Sequence, residues 1–330
     1  MKETLLCCRI TAQEKGLYRL CHDGVEQAAQ VSGKFQYEAL GPSDYPTVGD
    51  EVLADLNGGG QAVIHKVLPR KSLFLRKAAG TAREEQPVAA NVDILFLCMA
   101  LNNDFNLRRL ERYLAAAWNS GATPVVVLTK ADLCGNPSEK VAAVEEAAPG
   151  TDVLLTSAAQ EDGIRPLLPY LTPGRTVAFV GSSGVGKSTL MNGLLGKEIL
   201  ATGGLRNDDR GRHTTTRRQM FFLPGGAALI DTPGMRELGL WDSESGLETA
   251  FADIEALARQ CRFQDCRHEK EPGCAVRAAL ASGELSEERF RSWQRLSAEN
   301  RYADDRAAHM SAKEKKFRMI AKFNKSNSKR

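Results

Sequence analysis

Residues 177–189, VAFVGSSGVGKST, combine an apolar strand, a glycine-rich turn and the start of a helix. Two glycines spaced five apart, followed by Lys187 and Ser188, form the pattern of a phosphate-binding loop, and both flanking elements are of the required type. The backbone N–H groups of such a loop surround phosphates, the lysine reaches the β and γ oxygens, and the hydroxyl binds magnesium. The alternative is a glycine-rich turn without function. We name residues 181–189 the P-loop, and its predicted nucleotide-binding residues are Gly181, Ser182, Ser183, Gly184, Val185, Gly186, Lys187, Ser188 and Thr189.

Two segments after the P-loop supply other groups that a magnesium-dependent nucleotide hydrolase needs. The strand AALID ends at Asp231, which is predicted to hold magnesium, and the amide of Gly234 in DTPG is placed to detect the γ-phosphate. Between them lies a polar threonine loop, residues 207–218, where a hydroxyl is needed to complete the magnesium shell. Thr214, Thr215 and Thr216 all offer one, and we favour Thr215. Taken alone, DTPG is also typical of an ordinary turn, and the threonine loop of a solvated surface.

The stretch VLTKADL, residues 127–133, resembles the loop that reads guanine in GTPases. Guanine offers two hydrogen-bond donors that a carboxylate such as Asp132 accepts together, which adenine cannot match. Lys130 would cover the base with its aliphatic stem. In the next strand ending, Ser157 and Ala158 form an SA pair, and the amide of Ala158 could meet the guanine oxygen.

We name residues 127–133 the base-reading loop. It precedes the P-loop in the chain, and this order is a circular shift of the usual GTPase order. Strands alternate with helices around these motifs, and this alternation predicts a mostly parallel sheet covered by helices. Short strands before it indicate a small barrel or sandwich, and helical patterns follow it. We therefore predict a barrel over residues 1–78, a linker over 79–91, an α/β domain over 92–245, and a helical domain with a basic tail over 246–330.

A cluster of soft ligands lies in the helical region. Cys261, Cys266, His268 and Cys274 fall within fourteen residues. Four such ligands suit tetrahedral zinc with no position left open for water, so we predict a structural zinc site. Unrelated buried thiols and a surface histidine are the alternative.

Composition and charge limit the remaining possibilities. The longest apolar run, beginning at Val92, is too short for a membrane span, and MKETLLCCRI at the N-terminus is unlike a secretory signal, so a cytoplasmic location is expected. The net charge is +3, but residues 313–330 carry eight Lys or Arg and one Glu. Attraction to nucleic acid should therefore concentrate in this tail, although a merely solubilising tail is the alternative.

The motifs together resemble the circularly permuted bacterial GTPases that assist assembly of the small ribosomal subunit, the RsgA or YjeQ family. TKAD, SA, GSSGVGKST, RGRHTTT, LPGG, IDTPGMRE and the cysteine cluster occur in that order. The resemblance implies an N-terminal OB-fold barrel that contacts rRNA, a circularly permuted α/β P-loop GTPase domain and a C-terminal, mostly α-helical zinc-binding domain. It further implies GTP, Mg²⁺ and one structural Zn²⁺ as ligands, and the 30S subunit as partner. We expect the protein itself to be a monomer. One departure is Thr129, where GTPases usually have Asn, since an amide that helps to position the loop is then missing.

The sequence lacks the Gln that orients the attacking water in many GTPases, because the residue after DTPG is Met235. A thioether cannot orient water, so we expect slow turnover that the assembling ribosomal subunit stimulates. His213 in the threonine loop is a candidate catalytic residue beside Lys187 and Thr215, with a packing or capping role as the alternative. Arg210 and Arg212 could offset phosphoryl charge or contact RNA.

The leading hypothesis is a GTPase that binds the small subunit in its GTP state and leaves on hydrolysis. A nucleotide-gated RNA-binding module with negligible turnover and a P-loop kinase that uses ATP are the alternatives. In the barrel, Phe35, Tyr37 and Phe74 could stack on bases, but aromatic residues of small barrels are more often core. In the tail, Phe317 and Phe323 could anchor the chain on RNA.

Overall fold

The structure is a computed structural model that describes residues 5–14, 16–56, 60–77, 85–102, 104–200, 218–232 and 244–301. The chain divides into two units, Met1–Gly239 and Leu240–Arg330. None of the helices in the described ranges combines the length and the apolar composition that crossing a bilayer requires.

Five short strands at the N-terminus close into a barrel. They are β1 (Leu6–Glu14), β2 (Leu17–His22), β3 (Val25–Val31), β4 (Glu51–Asp55) and β5 (Ala62–Val67). The order β1-β2-β3-β5-β4 closes because β4 also pairs with β1. Alternation along the strands turns Ile10, Leu20 and Ile64 fully inward. Helix α1 (Gly33–Glu38) lies between β3 and β4 and is capped by the Ser32 hydroxyl. The predicted barrel is therefore confirmed.

A hairpin follows the five barrel strands, and its first strand falls within the predicted barrel segment 1–78 and its second within the predicted linker 79–91. Its strands are β6 (Leu73–Lys77) and β7 (Glu85–Ala90), which pair antiparallel with a bulge between Phe74 and Leu75. Pro87 is tolerated because it pairs at this irregularity. Val88, Ala89 and Ala90 are almost fully buried. The second half of the segment 79–91 is thus a strand. Sequence analysis missed it because Pro87, Ala89 and Ala90 are residue types that are uncommon in strands.

Five parallel strands and one antiparallel strand form the sheet of the α/β region. They are β8 (Ile94–Ala100), β9 (Thr123–Thr129), β10 (Val153–Leu155), β11 (Thr176–Val180), β12 (Arg218–Phe222) and β13 (Ala228–Asp231). The order is β10-β9-β8-β11-β13-β12, and only β12 runs antiparallel. The helices are α2 (Leu107–Ser120), α3 (Pro137–Ala147) and α4 (Lys187–Leu195). The chain moves outward from β8 to β10 and then returns beside β8 as β11. The direction therefore reverses between β8 and β11, where the carboxyl ends of an open parallel sheet form a crevice.

The barrel and the α/β sheet share backbone hydrogen bonds. Strand β12 pairs antiparallel with β1, with Gln219 opposite Ala12 and Arg218 opposite Gln13. The Arg218 guanidinium also donates to the side chain of Gln13 and to the carbonyl of Pro87. Because Arg218 ends the threonine loop, that loop leads directly into a strand that the barrel edge holds.

The second unit is helical in its described part. It contains α5 (Glu244–Ala250), α6 (Ala252–Ala258), α7 (Ala275–Ser282) and a further helix, α8, over residues 287–301. Arg289 of α8 is nearly buried and pairs with Asp253, 2.7 Å away, while its guanidinium lies 4.8 Å from the centre of the Phe251 ring. This ion pair lowers the pKa of Asp253 against the opposing effect of burial.

Candidate nucleotide and metal sites

The P-loop lies directly after β11 at the carboxyl edge of the sheet. A side chain at Gly181 would place its Cβ 2.4 Å from the carbonyl oxygen of Cys98 in β8, so only glycine permits this close approach. Gly186 has a φ of 105° and forms the N-cap of α4, which begins at Lys187. The loop therefore begins in close contact with β8 and ends at the N-terminus of α4. The positive end of a helix dipole favours a bound anion there.

Lys187 lies beneath the P-loop. Its ammonium donates to the carbonyl oxygens of Gly181 and Ser182, at 2.7 and 2.8 Å. Burial lowers the pKa of Lys187, and the neighbouring Cys98, Asp231 and Asp104 oppose that effect. Burial likewise raises the pKa of Asp231 at the end of β13, and Lys187 opposes it. A poorly solvated ammonium beside a helix N-terminus is suited to receive phosphate oxygens.

The base-reading loop is joined to the P-loop by two hydrogen bonds. The hydroxyl of Thr129 donates to the carbonyl of Val185 at 2.6 Å. The ammonium of Lys130 donates to the carbonyl of Gly184 at 2.8 Å. The first hydrogen bond compensates for the side-chain amide of the Asn that GTPases usually have at position 129, because the buried Thr129 hydroxyl holds the loop in place.

Asp132 and the SA pair form the far end of this edge. Asp132 lies in a short 3-10 turn, Ala131–Leu133, and its carboxylate accepts a hydrogen bond from the hydroxyl of Ser157. Ala158 is exposed beside Ser157, which is buried. The structure thus brings together Thr129, Lys130, Asp132, Ser157 and the P-loop at one edge of the sheet.

Two residues that sequence analysis missed support these loops. A Cβ at Gly163 would lie 1.9 Å from the carbonyl oxygen of Ser157, so glycine is required beneath the SA pair. Asp104, in the loop after β8, accepts a hydrogen bond from the Ser182 hydroxyl, whose oxygen lies 2.8 Å from each carboxylate oxygen. The order of the strands, which puts β8 beside β11, is the signal that could have indicated Asp104.

Several predicted site residues lie outside the described residues. They are Arg210, Arg212, His213, Thr214, Thr215, Thr216, Gly234 and Met235. Of the predicted magnesium ligands, the described Ser188 is half-buried in the first turn of α4 and Asp231 is buried. A hydroxyl and a carboxylate are the hard oxygen donors that Mg²⁺ prefers.

The Cys/His cluster, Cys261, Cys266, His268 and Cys274, converges in the second unit. Its four ligand atoms all lie within 4.8 Å of one another. The sulfur of Cys274 is 3.8 Å from that of Cys261 and 3.4 Å from Nδ1 of His268. Zinc–sulfur bonds of about 2.3 Å in a tetrahedron separate the sulfurs by about 3.8 Å, so the donor set fits a zinc ion. The cluster can therefore bind a metal.

Backbone turns and an aromatic ring position the residues of the Cys/His cluster. Cys274 is the N-cap of α7, and the amide of Arg277 donates to its sulfur. His268 has a φ of 60°, in the left-handed region, and its ring lies 5.6 Å from that of Trp293 in α8. The Trp293 indole in turn donates to Glu255 at 3.0 Å. These contacts direct Nδ1 of His268 toward the thiols.

The aromatic residues of the barrel have different environments. Phe74 is 1% exposed and cannot stack on a base. Phe35 packs against the barrel core, with its ring 5.7 Å from that of Tyr45. Tyr37 is 92% exposed. Of the three candidates for stacking, Tyr37 is exposed, Phe35 is half-buried and Phe74 is buried.

Comparison with known proteins adds to this geometry. The RsgA GTPase family model matches residues 67–241, and the ABC transporter model matches residues 166–328, which also include the P-loop. The small ribosomal subunit biogenesis GTPase RsgA 2 of Lactiplantibacillus plantarum is 50% identical over 89% of this chain and 83% of its own length. The small ribosomal subunit biogenesis GTPase RsgA of Methanosarcina acetivorans is 45% identical over 93% of this chain and 82% of its own.

Two solved structures share the fold. The crystal structure of YjeQ from Thermotoga maritima matches with a TM-score of 0.67 and 28% identity, covering 90% of this chain and 99% of that one. YloQ, described as a circularly permuted GTPase, matches with a TM-score of 0.63 and 22% identity over 90% of this chain and 96% of its own. The permuted order predicted from the motifs is thereby confirmed.

Proposed function

The chain belongs to the RsgA GTPase family, and from that premise we propose that it binds and hydrolyses GTP in the assembly of the small ribosomal subunit. It is a GTP-hydrolysing enzyme of small-subunit biogenesis. The observation that carries the residue-level proposal is the pair of hydrogen bonds from Thr129 and Lys130 to the P-loop. They join the candidate base-reading loop, residues 127–133, to the P-loop, although more than fifty residues separate the bonded positions.

Each group at this edge has a role toward the nucleotide. The P-loop amides and Lys187 bind the phosphates, and Lys187 offsets the charge that develops on the transferred phosphoryl group. Asp132, oriented by Ser157, accepts the two donors of guanine, and the amide of Ala158 meets the guanine oxygen. The exposed position of Ala158 leaves that amide at the edge where the base would lie.

Magnesium would be held by Ser188 and Asp231, with Thr215 completing the shell in the triphosphate state. The ion would offset negative charge between the β and γ phosphates. Gly234 would detect the γ-phosphate. We propose His213 as the residue that assists water attack, and the assembling subunit as the activator, because Met235 cannot orient water.

The other regions have binding roles in this proposal. The barrel of residues 1–78 contacts rRNA, with the exposed ring of Tyr37 available for stacking, and the basic tail adds phosphate contacts. The Cys/His cluster holds one zinc ion that organises the helical region 246–330. We place the protein in the cytoplasm as a monomer that binds the 30S subunit with GTP and leaves after hydrolysis.

Asp132→Asn tests the nucleotide choice. The asparagine amide would face the exocyclic amine of guanine with a donor, so GTP affinity should fall by about 100-fold. Xanthosine triphosphate has a carbonyl at that place and should bind better to the variant than to the parent. Asp162→Asn, which changes an exposed carboxylate in an ion pair with Arg165, is the matched control. Unchanged nucleotide preference in Asp132→Asn would favour the kinase alternative.

The rate of GTP hydrolysis distinguishes a GTPase from the second alternative, an RNA-binding module with negligible turnover. Phosphate release from GTP should be slow for the isolated chain and rise strongly when purified small subunits are added. A rate that stays negligible with subunits present would identify a nucleotide-gated RNA-binding module instead. Ala in place of His213 should abolish the stimulated rate while GDP affinity stays the same.

A further inference from the structure

The loop after β8 faces the P-loop across the point where the strand order reverses. Strands β8 and β11 are parallel neighbours, with Leu97 opposite Val180 near their carboxyl ends. The next residues of the two strands therefore emerge side by side. This adjacency places Asp104 against Ser182, although 78 positions separate them in the chain.

The contact between these two residues is specific. Ser182 is 4% exposed, and its hydroxyl lies 2.8 Å from each oxygen of the Asp104 carboxylate. Asp104 also pairs with the guanidinium of Arg109 at 2.8 Å, and the same guanidinium donates to the Asp104 carbonyl. The carboxylate is thus oriented by an arginine of α2 and directed at the second residue of the P-loop.

The loop that carries Asp104 is itself braced. Asn106 caps α2 by accepting from the amide of Arg109, at 3.0 Å. Lys140 of α3 donates to the carbonyl of Leu101, and its ammonium lies 5.0 Å from the centre of the Phe105 ring. Because the Asp104 carboxylate is fixed in this way, it can restrain the Ser182 hydroxyl of the P-loop.

We propose that Asp104 is a positioning residue of the phosphate site, which holds the P-loop backbone through the Ser182 hydroxyl in the conformation that receives nucleotide phosphates. The inference rests on the proposed function. Ser182 is the point of attachment because its carbonyl also accepts from Lys187. Fixing Ser182 therefore fixes both the direction of the following amides and the place of the lysine.

A double-mutant cycle on GDP affinity tests this role. Asp104→Ala and Ser182→Ala should each weaken GDP and GTP by about tenfold, and the double variant should lose no more than either single variant. Asp104→Asn should lose less than Asp104→Ala, because an amide oxygen still accepts from the hydroxyl. With magnesium and subunits present, the Asp104 variants should raise KM for GTP more than they lower kcat.

The matched control is Tyr170→Phe, which removes a hydroxyl-to-carboxylate hydrogen bond of 2.6 Å to Asp152 at the opposite edge of the sheet. Its GDP affinity should equal that of the parent. Thermal midpoints without nucleotide separate positioning from a purely structural role, because a structural role would lower them in proportion to the loss of affinity.

The outcomes are distinct. Unchanged GDP affinity in Ser182→Ala, additive losses in the double variant, or equal losses for Asn and Ala at Asp104 would each overturn the positioning role. A parent chain that binds no guanine nucleotide would overturn the proposed function together with this role. Coupled losses beside normal binding by the parent and by Tyr170→Phe are the expected result.

Discussion

The nucleotide loops lie at the edge of a buried parallel sheet, whereas the Cys/His cluster lies between short helices and turns. In the first region, strands β8, β9 and β11 position the loops, and Thr129, Lys130 and Lys187 already donate hydrogen bonds to carbonyls of the P-loop. In the second, four ligand atoms within 4.8 Å of one another are supplied by residues 261–274. Helices α6 and α7 on either side have only seven and eight residues.

This difference separates two ways of building a site. A sheet edge can hold its loops before any ligand arrives, so changes there should alter binding more than folding. Thiols gathered between helices too short to be stable alone would depend on a bound metal ion to fix them. Changes in the cluster should therefore alter folding first.

Removal of metal should have the largest effect. Cys274→Ser, or treatment with a strong chelator, should unfold the helical unit, because metal binding to structural sites contributes on the order of 10 kcal/mol. Hydrogen exchange should rise throughout residues 244–301 while the sheet strands stay protected. Cys7→Ser, which changes an exposed thiol of the barrel, is the control. A helical unit that keeps its protection after metal loss would remove the contrast between the two regions.

Lys187→Ala should abolish nucleotide binding without unfolding the chain. Loss of the ammonium should weaken GDP by at least about 100-fold, since charge-assisted bonds to phosphate are lost. The thermal midpoint without nucleotide should change little, because relief of a buried charge offsets the loss of two hydrogen bonds to backbone carbonyls. Lys197→Ala, at an exposed lysine just after α4, should change neither quantity. A large fall in the midpoint would mean that the sheet edge also depends on its ligand group for folding.

Thr129→Val should have a smaller effect on the same edge. The variant keeps the shape of the side chain but leaves the buried carbonyl of Val185 without its donor, so GTP affinity should fall by about three- to tenfold. Thr129→Asn should restore affinity, because its amide can donate to the same carbonyl. Thr11→Val removes a comparable hydroxyl-to-carbonyl hydrogen bond inside the barrel and should leave affinity unchanged. Equal affinity for Thr129→Val and the parent would show that the Lys130 hydrogen bond alone ties the loops together.

Local patterns were enough to predict much of this protein. The P-loop, the base-reading loop and the cysteine spacing each depend on a few adjacent residues, because the chemistry needs those residue types within one turn or loop. Their order along the chain was sufficient to predict a permuted GTPase fold. Apolar runs such as the one at Val92 predicted the central strands, since residues buried on both faces must be apolar.

The tertiary structure decided what depends on contacts between distant segments. The strand β7 is buried where it pairs with β6, and it was missed because its sequence includes Pro87 and two alanines, which are uncommon in strands. The Thr129 hydroxyl gains its role only from the carbonyl of Val185, and Asp104 only from Ser182. Neither partner can be predicted from spacing, because each pair meets only where separate strands end side by side at the carboxyl edge of the sheet.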